Sequence, residues 1–61
     1  MKKYTVLLNG EYFTKVITNK INELDILEKL FNDNQLDFEY IDIDSNGKAY
    51  IKAWQGIYTI K

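Results

Sequence analysis

The sequence predicts an α+β domain, a five-stranded and mainly antiparallel sheet with one helix packed on one face. Three observations predict it. Short apolar segments fill both ends of the chain. Three glycines, each behind a polar residue, separate them: Asn9-Gly10, Asn46-Gly47 and Gln55-Gly56. Between the first two lies one stretch of helical spacing, in which Leu24, Leu27, Leu30 and Phe31 recur. The order that follows is ββαβββ, in one domain spanning 1–61.

The first two strands are expected over 2–8 and 11–18. Asn-Gly between them favours a two-residue type I′ turn, because both central residues need positive φ. A helix is expected over about 23–33. Asn22 can cap it, Asp25 stands three residues on, and Ile21 is placed to staple against Ile26. Acids in the first turn suit the helix dipole. The cluster Asn32-Asp33-Asn34 signals its end. Three more strands are expected over 37–44, 48–54 and 57–61, with the order 2-1-5-4-3 favoured over 2-1-3-4-5.

Composition narrows the function classes. A chain of 61 residues buries little of its surface and is commonly stapled by a disulfide, a metal or a partner. There is no Cys and no His, which removes disulfides, thiolate chemistry and the usual zinc site. A partner is the remaining staple. No apolar run is long enough to span a bilayer. The opening "MKKYTVLLNGEY" is broken by Asn9, Gly10 and Glu11, so it does not read as a signal peptide. A cytoplasmic protein is expected. All eight basic residues are Lys, Pro is absent, and Ile and Asn are plentiful. AT-rich codons give this composition, which points to a low-GC bacterium or one of its phages.

Net charge is −1 but unevenly placed. Residues 21–47 hold eight acids and one Lys, between flanks of net +3 each. Acids on the helix and third strand read as a solvated face and an edge guard. A sharper reading is mimicry of nucleic acid against a basic partner groove.

"DIDSNG", Asp42 to Gly47, matches half of a calcium loop, with oxygens at alternate positions. The closing position holds Ala53 instead of a glutamate, so an Asx-rich hairpin turn is the reading adopted. No metal and no cofactor is expected. With Ser45 the only serine and no His or Cys, no catalytic residue is assigned. Neither an enzyme nor a small-molecule substrate is expected.

The segment "KAYIKAWQGIYTIK", Lys48 to Lys61, is apolar on both parities of its strands. Two-residue turns would pair Ile43 with Tyr50, Ile41 with Lys52 and Trp54 with Ile57. One face would then carry Ile41, Ile43, Tyr50, Lys52, Trp54, Ile57, Thr59 and Lys61. The other would carry Phe38, Tyr40, Ala49, Ile51, Ala53, Tyr58 and Ile60, where two alanines leave room for the helix. Tyr4, Val6, Leu8, Phe13 and Ile17 would complete that core, with Leu7, Tyr12 and Val16 opposite. One helix covers one face, so Ile41, Ile43, Tyr50, Lys52, Trp54 and Ile57 are the expected partner-binding residues. Curling into a barrel, or a slip of one residue, would change that assignment.

"YTVLLNGEYFTK", Tyr4 to Lys15, and "DFEYIDIDSNGKAYI", Asp37 to Ile51, lie on either side of the helix. Together they resemble the hairpins of the immunoglobulin-binding domain of protein G. The resemblance implies a β-grasp-like layout. "WQGIYTIK" extends beyond that pattern and the helix is more acidic, so antibody binding is not carried over.

The expected function is a small non-enzymatic binding protein, plausible as a phage or mobile-element product. It would mask or bridge a protein partner, or a second copy of itself, without a membrane. The alternative is a single-stranded nucleic-acid module that stacks bases on Tyr50 and Trp54 beside Lys52.

Overall fold

Asn9 at φ 54° and Gly10 at φ 86° form the expected type I′ turn between β1 (Lys2–Leu8) and β2 (Glu11–Thr18) in a computed structural model describing all residues, 1–61. The helix α1 (Glu23–Asp33) follows, then β3 (Tyr40–Ile43), β4 (Ala49–Ala53) and β5 (Gly56–Ile60). The five strands form one sheet in the order β2-β1-β5-β4-β3. Every neighbouring pair is antiparallel.

Asn22 caps the helix, its Oδ1 accepting from the Leu24 N–H at 3.0 Å. Ile21 makes no staple, because it is 81% exposed while Ile26 turns inward. The helix ends in a Schellman motif: the Leu36 N–H reaches the Phe31 carbonyl at 2.9 Å, and the Gln35 N–H reaches Asn32 at 3.2 Å. Gln35 takes the left-handed position at φ 54°.

Ile26, Leu27, Leu30 and Phe31 pack down on Ala49, Ile51, Ala53, Tyr58 and Ile60. Ala49 and Ala53 are fully buried, so the small side chains of β4 do admit the helix. Fully burying residues such as Ile26 and Leu27 contributes about 1.5–3 kcal/mol each. Glu23 ties the first helical turn to the sheet, its Oε1 accepting from the Ala49 N–H at 3.1 Å. Rings of Phe13, Tyr58, Phe31 and Phe38 meet edge to face in a chain, at 5.2, 4.9 and 5.6 Å.

Three local features alter the expected register. In β2, Val6 pairs with Thr14 while Leu7 pairs with Tyr12, so Phe13 is the extra residue of a bulge. The bulge exchanges the faces beyond it. Val16 is 7% exposed and Thr18 is buried, whereas Ile17, expected in the core, is 56% exposed.

The second hairpin has a longer turn than expected. Asp44 Oδ1 accepts from the N–H groups of Asn46 at 2.8 Å and Lys48 at 3.0 Å. This Asx turn holds Ser45, Asn46 and Gly47 in the loop, with Gly47 at φ 82°. Ile43 therefore pairs with Ala49 and Ile41 with Ile51, one residue out of the expected register. Ile41 and Ile43 thus lie on the helix side, and Tyr40 on the opposite side. β3 starts at Tyr40 instead of residue 37, because the chain before it follows the helix end and lays Phe38 against Phe31.

In the third hairpin Ala53 pairs with Gly56, so Trp54 and Gln55 form the turn. The slip here is two residues, which keeps each side chain on its expected face. It moves Trp54 out of the strand to the turn tip.

A candidate docking face on the open side of the sheet

The helix covers one side of the sheet and leaves the other uncovered. Register fixes what stands there. Across the middle run Tyr12, Leu7, Thr59, Tyr50 and Asp42, one from each strand in sheet order. Towards the Trp54 turn lie Ile57, Lys52 and Tyr40. Towards the other end lie Lys15 and Thr5, followed by Ile17 and Lys3. Lys61 extends this side, its N–H bonding to the Thr5 carbonyl at 2.9 Å.

Tyr12, Ile17, Tyr40 and Ile57 are exposed on this face, and Leu7 and Tyr50 are half-buried. The Tyr40 and Tyr50 rings meet edge to face at 6.3 Å. Burial pushes the Tyr50 phenol above its ordinary value, and the negative charge of Asp42 adds to it, with smaller contributions from Tyr40 and Asp44. Lys52 is anchored locally, donating to the Ala53 carbonyl at 3.1 Å and standing 3.5 Å from Glu39. Trp54 projects from the turn tip with 82% of its surface exposed.

Charge separates the two sides of the molecule. The open face carries Lys3, Lys15, Lys52 and Lys61 against Asp42, with Glu39 at its margin. The helix carries Glu23, Asp25, Glu28 and Asp33 against Lys29 alone. Lys29 and Asp33 pair at 2.6 Å, an exposed contact of small energetic weight.

Of the six residues expected to bind a partner, Tyr50, Lys52 and Ile57 share the open face and Trp54 borders it. Ile41 and Ile43 do not, and Ile41 packs against the core. Ile17, Lys15 and Tyr40 join the face unforeseen, while Lys3 lies there on the same parity of β1 as Leu7. The signals for them were the extra residue at Phe13 and an Asp placed to close a longer turn. The same turn accounts for the calcium-like spacing, since Asp44 Oδ1 is occupied by backbone N–H groups and Asp42 Oδ1 accepts from the Ile43 N–H at 2.7 Å.

The one groove of the molecule, about 350 Å³, lies on the helix side between Phe13, Thr14, Leu30, Asn34 and Leu36. No helix is long and apolar enough to cross a membrane. No family model, curated protein or solved structure matches the chain.

Proposed function

We propose that the protein is a non-enzymatic binding module that docks a macromolecular partner on the open face of its sheet. The carrying observation is the coverage of the sheet: a single helix leaves Tyr12, Ile17, Tyr40 and Ile57 exposed together, with Trp54 beside them. These apolar side chains, interleaved with Lys15 and Lys52 on one uncovered face, support an interaction site on so small a domain. Tyr and Trp add the rigid contact area that dominates binding hot spots. Four lysines against Asp42 and the marginal Glu39 leave the face cationic, which supports an acidic partner over a second copy of the same face.

Capture from a lysate of the source cell tests this when the two sides are compared. Tyr12→Ser combined with Lys52→Glu is expected to lose the captured partner. Asp25→Lys combined with Glu28→Lys, on the helix, is expected to retain it. The reverse pattern would make the acidic helix side the working surface and overturn the reading.

A further inference from the structure

We infer that the partner of the open face is a single-stranded nucleic acid, its bases stacked on the exposed rings and its phosphates held by the lysines. This rests on the docking reading above and names the partner class.

Three observations favour nucleic acid over an acidic protein. The first is charge placement. A molecule of net charge −1 attracts a polyanion only through a side where cations exceed anions, and on the open face Lys3, Lys15, Lys52 and Lys61, four of the eight lysines, stand against Asp42 and the marginal Glu39. The acids of the helix lie on the opposite side and would turn the open face towards a negative strand. The second is shape. The groove of the molecule lies under the helix end, and the exposed rings of the open face are unobstructed by one. A base needs only an exposed ring face and a nearby cation. The third is arrangement. Tyr12 and Tyr50 share one row across the sheet, with Lys15 to one side of it and Lys52 to the other. At about 4.8 Å per strand the two tyrosines stand roughly 14 Å apart. A strand lying along the row would then meet Tyr12 and Tyr50, with a cation on each flank and Asp42 beyond Tyr50. Trp54, the only tryptophan, stands exposed at the turn beyond Lys52. The site suits a segment at the short end of the known range, about four nucleotides.

Trp54 reports binding directly. Its fluorescence is titrated with deoxythymidine and uridine oligonucleotides about ten nucleotides long. Quenching is expected with both. With four lysines engaged, affinity should fall roughly fifty-fold between about 50 and 200 mM salt. Lys15→Gln with Lys61→Gln should reduce that fall to roughly sevenfold. Tyr12→Ala, at an exposed position, should weaken binding about tenfold, and Tyr50→Ala similarly if circular dichroism shows it folded.

Absence of quenching at 50 mM salt by either oligonucleotide would overturn the inference. So would affinity unmoved by Tyr12→Ala, or polyglutamate binding as tightly as the oligonucleotides, which would point to an acidic protein. The docking reading has its own fate. If oligonucleotides fail while Tyr12→Ser with Lys52→Glu still abolishes lysate capture, only the nucleic-acid inference falls.

Discussion

Asn9 and Ile57 exchange two hydrogen bonds across one end of the sheet, from the Asn9 N–H to the Ile57 carbonyl at 2.9 Å and from the Ile57 N–H to Asn9 Oδ1 at 3.0 Å. The pair joins the first hairpin to the last. It also fixes the Asn9 side chain against Gly56, where an added Cβ would lie 2.3 Å from Asn9 Oδ1. Gly56 itself sits at φ 144°, a conformation L side chains rarely adopt. Gly56→Ala is therefore expected to destabilise the fold by more than about 1 kcal/mol. Asn9→Gly keeps the turn and forfeits the side-chain bond, for about 1 kcal/mol. Together they should cost less than the two single effects added, because removing the Asn9 side chain removes the collision. Urea denaturation of the three variants measures this; strict additivity would show that Asn9 yields freely and that only backbone strain matters.

The end of the helix offers a gain. Gln35 holds the left-handed position of the Schellman motif, which glycine adopts at no steric cost. Its backbone bond to Asn32 is independent of the side chain. Gln35→Gly is expected to stabilise the protein by about 0.5–1 kcal/mol. A lower denaturation midpoint would mean that the Gln35 side chain contributes something the backbone geometry does not reveal.

Much of this fold is legible in the residues, and the errors share one cause. The helix bounds, the Asn9-Gly10 turn and the two alanines under the helix follow from local chemistry: a cap, an obligatory positive φ, a hydrophobic period and a steric gap; the favoured strand order is the one observed, but no local signal separated it from 2-1-3-4-5. What was not legible is the count of residues in each connection. Asp44 accepting from two N–H groups lengthens one turn by a residue. Phe13 inserts one residue into β2. Each is a shift of one, so each moves side chains to the other face, placing Ile17 outside and Ile41 and Ile43 on the helix side. The last hairpin shifted by two, which kept the faces of its strands and moved Trp54 from β4 into the turn. The candidate face was half legible for the same reason: Tyr50, Lys52 and Ile57 lie on strands whose parity was right.

That account gives Asp44 a testable role. Asp44→Ala removes the acceptor of two backbone N–H groups in an exposed loop, and is expected to cost about 1 kcal/mol. Without it Asn46-Gly47 can form the shorter turn, which would push Ile43 opposite Tyr50. Amide chemical shifts should show disturbance spreading into β3 while β1 and β2 stay unchanged. Shifts confined to residues 44–48 would show that burial of Ile41 alone holds the register.

Alkaline pH should weaken the fold through two tyrosines. Burial pushes the phenol of Tyr58 above its ordinary value of 10.0, and burial together with Asp42, Tyr40 and Asp44 raises that of Tyr50. A raised pKa means that the unfolded chain loses these protons first. Their contribution is complete below pH 10.0 and is lost as pH rises through the folded values. The urea midpoint should therefore fall steadily above pH 10.0, and less steeply in Tyr58→Phe, a change that nearly conserves volume. An identical decline in Tyr58→Phe would show that the Tyr58 phenol does not contribute to it.

The strongest separation of scaffold from working surface compares two neighbours on one strand and its turn. Ile51 is fully buried on the helix side of β4, and Trp54, three residues on, stands in solvent. Ile51→Ala should cost about 2–5 kcal/mol, through lost burial and the cavity left under the helix. Trp54→Ala should alter stability by no more than about 0.5 kcal/mol, since the ring is exposed and the turn bonds are made by Asn9 and the backbone. A large exposed ring that the fold does not need is what a docking surface requires. Thermal unfolding of both variants checks the contrast. If Trp54→Ala were as damaging as Ile51→Ala, the indole would be part of the scaffold, and its exposure would no longer speak for a partner.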